Sequence, residues 1–349
     1  MQALEGNPRA ETVKWAGEDD SMPTPDRPLG AALAALTLLA ASAAAEPLRM
    51  AGRAFDRRAE IEVRDLDRAA AERAVGAAFR ALESARADLR AIESTARPGV
   101  PVQLDGSQAV LVRRALGFCA WSSGAVGPLG GEVFRIWGLR FPVTSFPVPD
   151  EIERAAASAG CSRAAIDPAG VLSLAEGSAL DFFPFELGWA VDRAAAILRE
   201  AGAANFWIDL GTVVRAAGGG PDGRGWTYAP PLVAGQLEPL PPFPLRDRAV
   251  ALLRPADRPL RVAGESFPPY VDLRRGRPGG GEAVAAVLVV SEIAVDAQAL
   301  GYAMFVLGPR DGTLLVGAIS PRPSIRWLLG GGQSPPVLAD VNWGVVVRP

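Results

Sequence analysis

"LDFFPFELGWAVDR", Leu180 to Arg193, and "NFWIDLGTVVRAAGGG", Asn205 to Gly220, are the stretches on which the fold of this chain turns. The first passes from extended, aromatic-rich sequence into a helix that runs from about Gly188 to a glycine cap at Gly202. The second follows at once as an apolar strand closing in glycine-rich turn material. A helix feeding a strand needs a sheet to pack on, and the flanking sequence supplies one.

Upstream, "AEIEVR" (Ala59 to Arg64) alternates apolar and charged side chains, the period of a half-buried strand. Beyond it, Val75, Phe79, Leu82, Leu89 and Ile92 recur on one face of a long helix, with Asp65 or Asp67 placed to cap its start. Shorter helices are expected over Ala109 to Ala120 and Asp150 to Gly160. Downstream, Gly218 to Pro259 is rich in Pro and Gly with one apolar patch, which reads as a long loop or an irregular hairpin. "VAAVLVVS" (Val284 to Ser291) has the composition of a strand buried on both faces and feeds a helix expected to stop at Gly308-Pro309. "WGVVVRP" at the end reads as a last strand. Together these predict an α+β fold: a single domain over residues 46–349 with a mixed sheet covered by helices.

The composition, 49% apolar and 21% charged, is that of a globular protein. There is no histidine, and Lys14 is the only lysine, which excludes imidazole-based zinc sites, histidine general bases and a P-loop. The segment from Met22 has one basic residue, an apolar run from Leu29 and small residues at Ala43-Ala44-Ala45, the layout of a cleaved secretory signal over 22–45. Residues 1–21 then form an upstream, disordered extension. After residue 45 the chain carries 33 acidic and 33 basic side chains, and this near-neutral balance argues against a nucleic-acid partner, which would need a basic face. Cys119 and Cys161 could pair after export or sit as two buried thiols.

Four segments, in order, resemble one family, the ApbE-like FAD:protein FMN transferases. "SSGAVGPLGGEVFRIWGL" carries Gly124, Ala125, Pro128 and Trp137-Gly138, with Gly127 where the family has Asp. The opening stretch and its strand carry Asp181, Gly188, Ala190-Val191-Asp192-Arg193, Leu210-Gly211 and Arg215. "YVDLRRGRP" keeps Asp272, Gly276 and Pro278, and "AVDAQALGYAMFVLGP" matches the fourth motif. The resemblance covers roughly residues 50–318. It implies an exported bacterial enzyme that uses Mg2+ to split FAD and attach FMN to a Thr or Ser of a target protein. It also implies FAD and Mg2+ as cofactors, an exported target or envelope redox protein as partner, and cofactor contacts at Asp181, Gly188, Asp192, Gly211 and Asp272.

The departures fall on the chemistry. Where the family has glycines and a lysine near the flavin phosphates, this chain has Phe183, Pro184 and Leu187; proline has no N–H to donate and phenylalanine fills the space a phosphate would take. Gln298 and Tyr302 align with the family's metal-ligating Asp and Thr, Pro269 with its His, and Gly211-Thr212-Val213 with its Gly-Gly-Asp. Mg2+ prefers hard oxygen ligands, commonly carboxylates. No catalytic and no metal-ligating residue is therefore assigned. Phe182, Phe183 and Phe185 are expected to pack against the sheet, with flavin stacking as the alternative. The expected function is a cell-envelope member of this family with weak or lost transfer and an accessory or binding role. The alternatives are an active transferase compensated by Asp296, Asp209 or the arginines at 274, 275 and 277, and a protein that holds flavin without transferring it.

Overall fold

The computed structural model describes residues 46–345 apart from 234–235, 237–238, 256–257, 280–283 and 331–336. The expected signal segment and upstream extension lie outside the described residues, as does most of the expected last strand. Eight strands form the central sheet: β1 (Leu48–Ala54), β2 (Arg57–Val63), β3 (Phe206–Asp209), β4 (Val213–Ala217), β5 (Arg248–Leu253), β6 (Val284–Ser291), β7 (Ser324–Leu329) and β8 (Val337–Val341). Their spatial order is their chain order, and each ladder is antiparallel. The α+β class holds, but the sheet is an antiparallel one where a mixed one was expected. Each strand pairs with the next in the chain, so the direction alternates; helices are inserted between neighbours without reversing this.

Helix α1 (Arg68–Thr95) buries Val75, Phe79, Leu82, Leu89 and Ile92, the expected stripe, together with Ala71. Asp67 caps it, accepting from the Ala70 N–H at 2.8 Å. Helices α2 (Gly106–Trp121), α3 (Gly131–Ile136) and α4 (Pro149–Ser158) follow, and α5 (Glu186–Glu200) packs on α1. Helix α6 (Ala294–Val316) breaks at the predicted stop: Gly308 leaves helical geometry at φ 71°, and Pro309 then opens a second helical stretch, since its missing N–H costs nothing at a first position.

On the helical side of the sheet, Ala59, Ile61, Val63, Phe206 and Ile208 join the main apolar cluster. On the other side a second cluster forms under a hairpin, Trp226–Tyr228 with Phe243–Leu245, together with Trp343. This is why β6 is buried on both faces. The hairpin and β5 both come from the stretch expected to be a long loop or an irregular hairpin; the hairpin is there, and β5 is the strand that expectation lacked. "RAVALL" sits between β4 and β6 at the centre of the sheet, a short apolar run obscured by the Pro and Gly around it. At the chain's end, β8 precedes "WGVVVRP", and Trp343–Val345 forms a short 3-10 turn rather than a strand. Cys119 of α2 and Cys161 are joined in a disulfide, tying α2 to the segment after α4.

Candidate functional site

The turn ahead of α5 is built by Asp181. Its N–H donates to Pro128 O (2.8 Å), and its carboxylate accepts the Phe183 N–H (2.8 Å), folding the chain back as an Asx turn does. Phe185 N–H closes on Phe182 O (2.8 Å) and α5 begins. Phe182 and Phe185 are wholly buried in the main cluster, as expected for core. Phe183 differs. Its half-buried ring meets the edges of Phe134 (5.9 Å) and Tyr302 (6.1 Å), and the Arg140 and Arg258 guanidiniums lie 5.6 and 5.7 Å from its centroid.

Around this ring stand five charges that sequence reasoning mostly missed. Arg140 grips Asp181 with two hydrogen bonds (2.8 and 2.5 Å), reaches Glu186 at 3.1 Å and lies 3.9 Å from Glu93. Arg258 lies 3.8 Å from Glu186. Burial opposes the Arg140 charge, but its bonds to Asp181 and the surrounding carboxylates outweigh that and push its pKa up. Burial pushes Arg258 down, with Glu186 acting against it. Glu93 accepts the Phe182 N–H (2.8 Å), and burial, aided by the Asp181 carboxylate, raises its pKa to about 7. Three carboxylates thus share two guanidiniums, and Glu93 is the one whose protonation relieves the surplus negative charge. A signal was present for one member: Glu186 stands among the phenylalanines of the opening stretch, and an acid in an apolar setting needs a partner.

The positions aligned with metal ligands are spent on internal bonds. Gln298 Oε1 accepts the Gly188 N–H (2.7 Å), while its Nε2 donates to Phe183 O (3.1 Å). The amide therefore bridges the start of α5 to the loop before it, with its orientation fixed by one donor and one acceptor. Tyr302, fully buried, accepts the Val271 N–H at 2.7 Å, and burial pushes its phenol up. Asp296 faces α2, where it pairs twice with Arg114. Among the described residues no group of three or more His, Cys, Asp or Glu could hold a metal ion. A neutral amide already bonded at both ends and a tyrosine in the core do not fit Mg2+, so no step is derived through one.

The other expected positions have local tasks. Gly188 lies against the start of α6: a Cβ there would come within 2.4 Å of Ala294 O and Val295 Cα. Asp192 holds that same start, accepting from Ala294 N–H (2.9 Å) and Val295 N–H (2.8 Å) with Arg215 at 3.5 Å; burial raises its pKa against these contacts. Asp272 binds Arg274 (2.9 and 2.7 Å), while Arg274, Arg275 and Arg277 are solvent-exposed. Gly211, at φ 78°, makes the turn in which its N–H meets Asp209 Oδ1 (2.6 Å). The structure thus gathers Asp181, Gly188, Gln298 and Tyr302 about Phe183, and places Gly211 with Asp209 at the end of β3.

The sequence profile of the ApbE family matches residues 55–322. The chain belongs to the ApbE family. A curated FAD:protein FMN transferase of Haemophilus influenzae is 22% identical over 230 residues, 63% of this chain and 66% of that protein. The match thus spans just under two thirds of that relative. Among solved structures, the ApbE protein of Thermotoga maritima has a TM-score of 0.74 at 22% identity, covering 87% of this chain and all of the other. The flavin transferase ApbE of Vibrio cholerae gives 0.72 at 18%, over 87% and 100%. The apo flavinyl transferase ApbE of Pseudomonas stutzeri gives 0.72 at 22%, over 86% and 96%. At these identities the likeness is one of fold. An ApbE framework therefore surrounds the Phe183 turn, and Phe183, Gln298 and Tyr302 lie within the matched residues.

Proposed function

We propose that this ApbE-family chain has lost most or all of the transfer of FMN from FAD, and acts as an accessory or binding protein for an exported target or redox protein of the cell envelope. One observation carries the reading. The Gln298 amide is bonded to Gly188 and to Phe183 where the family resemblance puts a metal-ligating carboxylate. Phosphoryl transfer depends on cations that neutralise charge developing on the phosphates. Of the compensating groups expected from the sequence, Asp296 is engaged with Arg114, Asp209 with the Gly211 N–H, and Arg274 and Arg275 with Asp272. Export is supported by the signal-like segment 22–45 and by the Cys119–Cys161 disulfide, a bond that persists in oxidising compartments.

Calorimetric titration of the purified protein with FAD, with and without Mg2+, tests this, together with mass spectrometry of a Thr-containing target peptide incubated with all three. The reading predicts no Mg2+-dependent FAD binding and no added FMN mass. Tight, Mg2+-dependent FAD binding with FMN appearing on the peptide would overturn it. Yellow protein that binds FAD without the metal would replace it with the flavin-holding alternative.

A further inference from the structure

We propose that the outer face of the sheet, at its β1–β3 end, carries a groove that binds a saccharide, the ring of one sugar lying on Trp207 and its hydroxyls meeting Asp209, Glu60, Arg49 and Arg58. The alternation of β2 and β3 creates the place. Ile61, Val63, Phe206 and Ile208 face the helices, so Glu60, Glu62, Trp207 and Asp209 face the other way, with Glu60 directly opposite Asp209 and Glu62 opposite Trp207. Further along this face the hairpin of 226–228 and 243–245 covers the sheet. At Trp226 the cover stops, leaving an open groove of about 710 Å³. That lies within the range of about 300–1,000 Å³ typical of small-ligand sites.

The floor is a rigid aromatic platform. Trp207, half-exposed, lies 5.8 Å from Trp226 at 33° and 6.5 Å from Tyr228 at 34°, while Trp226 is itself pinned by a 2.7 Å bond from its indole N–H to Ala217 O. The walls offer acceptors and donors side by side. Glu60 sits between Arg49 (2.5 Å) and Arg58 (3.2 Å), whose side chains are largely exposed. Asp209 faces Glu60 across the ladder, a like-charge pairing that works against stability. Burial, with Glu60 adding to it, pushes the Asp209 carboxyl up, so a hydroxyl donating to it replaces hydration the fold has removed.

This mixture selects among ligand classes. A phosphate-bearing ligand meets the carboxylates of Glu60, Glu62, Asp209 and Asp222, a bare cation meets two exposed guanidiniums, and an apolar peptide leaves all six charged side chains of the lining without new partners. A sugar ring presents apolar C–H groups on one face and hydroxyls, each both donor and acceptor, around its edge; it can use the indole and both kinds of wall. The inference does not rest on the loss of FMN transfer, because the groove shares with the expected cofactor contacts only Gly211.

The test applies the full protein to an array of immobilised neutral and acidic oligosaccharides, then titrates a retained one by calorimetry. Saturable binding is expected, weakened about tenfold in Trp207→Ala and about fivefold in Asp209→Asn, as loss of an aromatic anchor and of one charged hydrogen bond would give. Should Trp207→Ala fail to fold, Arg58→Ala, at an exposed side chain, with quenching or shift of the wild-type tryptophan emission on sugar addition, decides in its place. Retention of no oligosaccharide at millimolar concentration overturns the proposal. So does binding undiminished in the folded Trp207→Ala and Asp209→Asn variants, or a preference for basic peptides over every sugar.

Discussion

The turn at 180–188 and the groove over β2 and β3 lie on opposite sides of one sheet and use their polar groups in opposite ways. At the turn almost every charged or hydrogen-bonding side chain has found a partner within the chain: Asp181 and Glu186 on Arg140, Gln298 on Gly188 and Phe183, Tyr302 on Val271. In the groove a half-exposed indole and a carboxylate held opposite another carboxylate line open space. A buried polar group that is internally satisfied stabilises the fold and leaves little for a ligand, whereas one left partly satisfied beside a cavity is available to bind.

The contrast predicts a graded set of responses. The largest belongs to the packed side: Gly188→Ala forces a methyl into the α6 backbone, and urea denaturation should show a loss of about 3 kcal/mol or more, where Gly106→Ala, with nothing within 4 Å of the added carbon, leaves stability unchanged or raised. Reducing the Cys119–Cys161 bond, or replacing both cysteines by serine, opens a loop with a sequence separation of 42 and should cost about 3–4 kcal/mol in the same assay. Gln298→Ala leaves the Gly188 N–H and the Phe183 carbonyl buried without this partner and should cost about 2 kcal/mol.

Glu93 gives a signed pH effect. Its folded pKa, about 7, lies above the ordinary 4.5, so the folded state holds a proton the unfolded state has lost, and stability falls as pH rises from about 4.5 through 7. Glu93→Gln keeps an acceptor for the Phe182 N–H but cannot ionise, so its advantage over wild type should grow by about 2–3 kcal/mol between pH 5 and pH 8. A parallel pH dependence in the two proteins would mean the surplus charge lies elsewhere. The smallest effect belongs to the open side: Arg58→Ala should change stability by less than about 0.5 kcal/mol, since the Arg58 side chain is exposed and Glu60 keeps its pair with Arg49.

What could be read from the sequence followed the range of the interaction. Period carried α1, whose stripe is local, and alternation carried β2; both appear where expected. The central strand β5 was lost because six residues set among prolines and glycines give too short a pattern, and its place comes from pairing with strands far along the chain. The substitutions at Phe183, Gln298 and Tyr302 were legible only against the family pattern. The charge cluster was not legible even so, because Glu93 and Phe182 are 89 positions apart and Arg140 and Asp181 are 41 apart. Whether two cysteines pair is likewise settled by proximity in space.

The central claim is that the Gln298 amide occupies the place of a metal ligand, and a crystal soaked with Mn2+ and FAD tests it most directly. The account predicts no anomalous peak beside Gln298 or Tyr302, with the amide still bonded to Gly188 and Phe183. An Mn2+ ion coordinated by the Gln298 oxygen at about 2.0–2.2 Å, with flavin phosphates beside it and Phe183 displaced, would contradict the account.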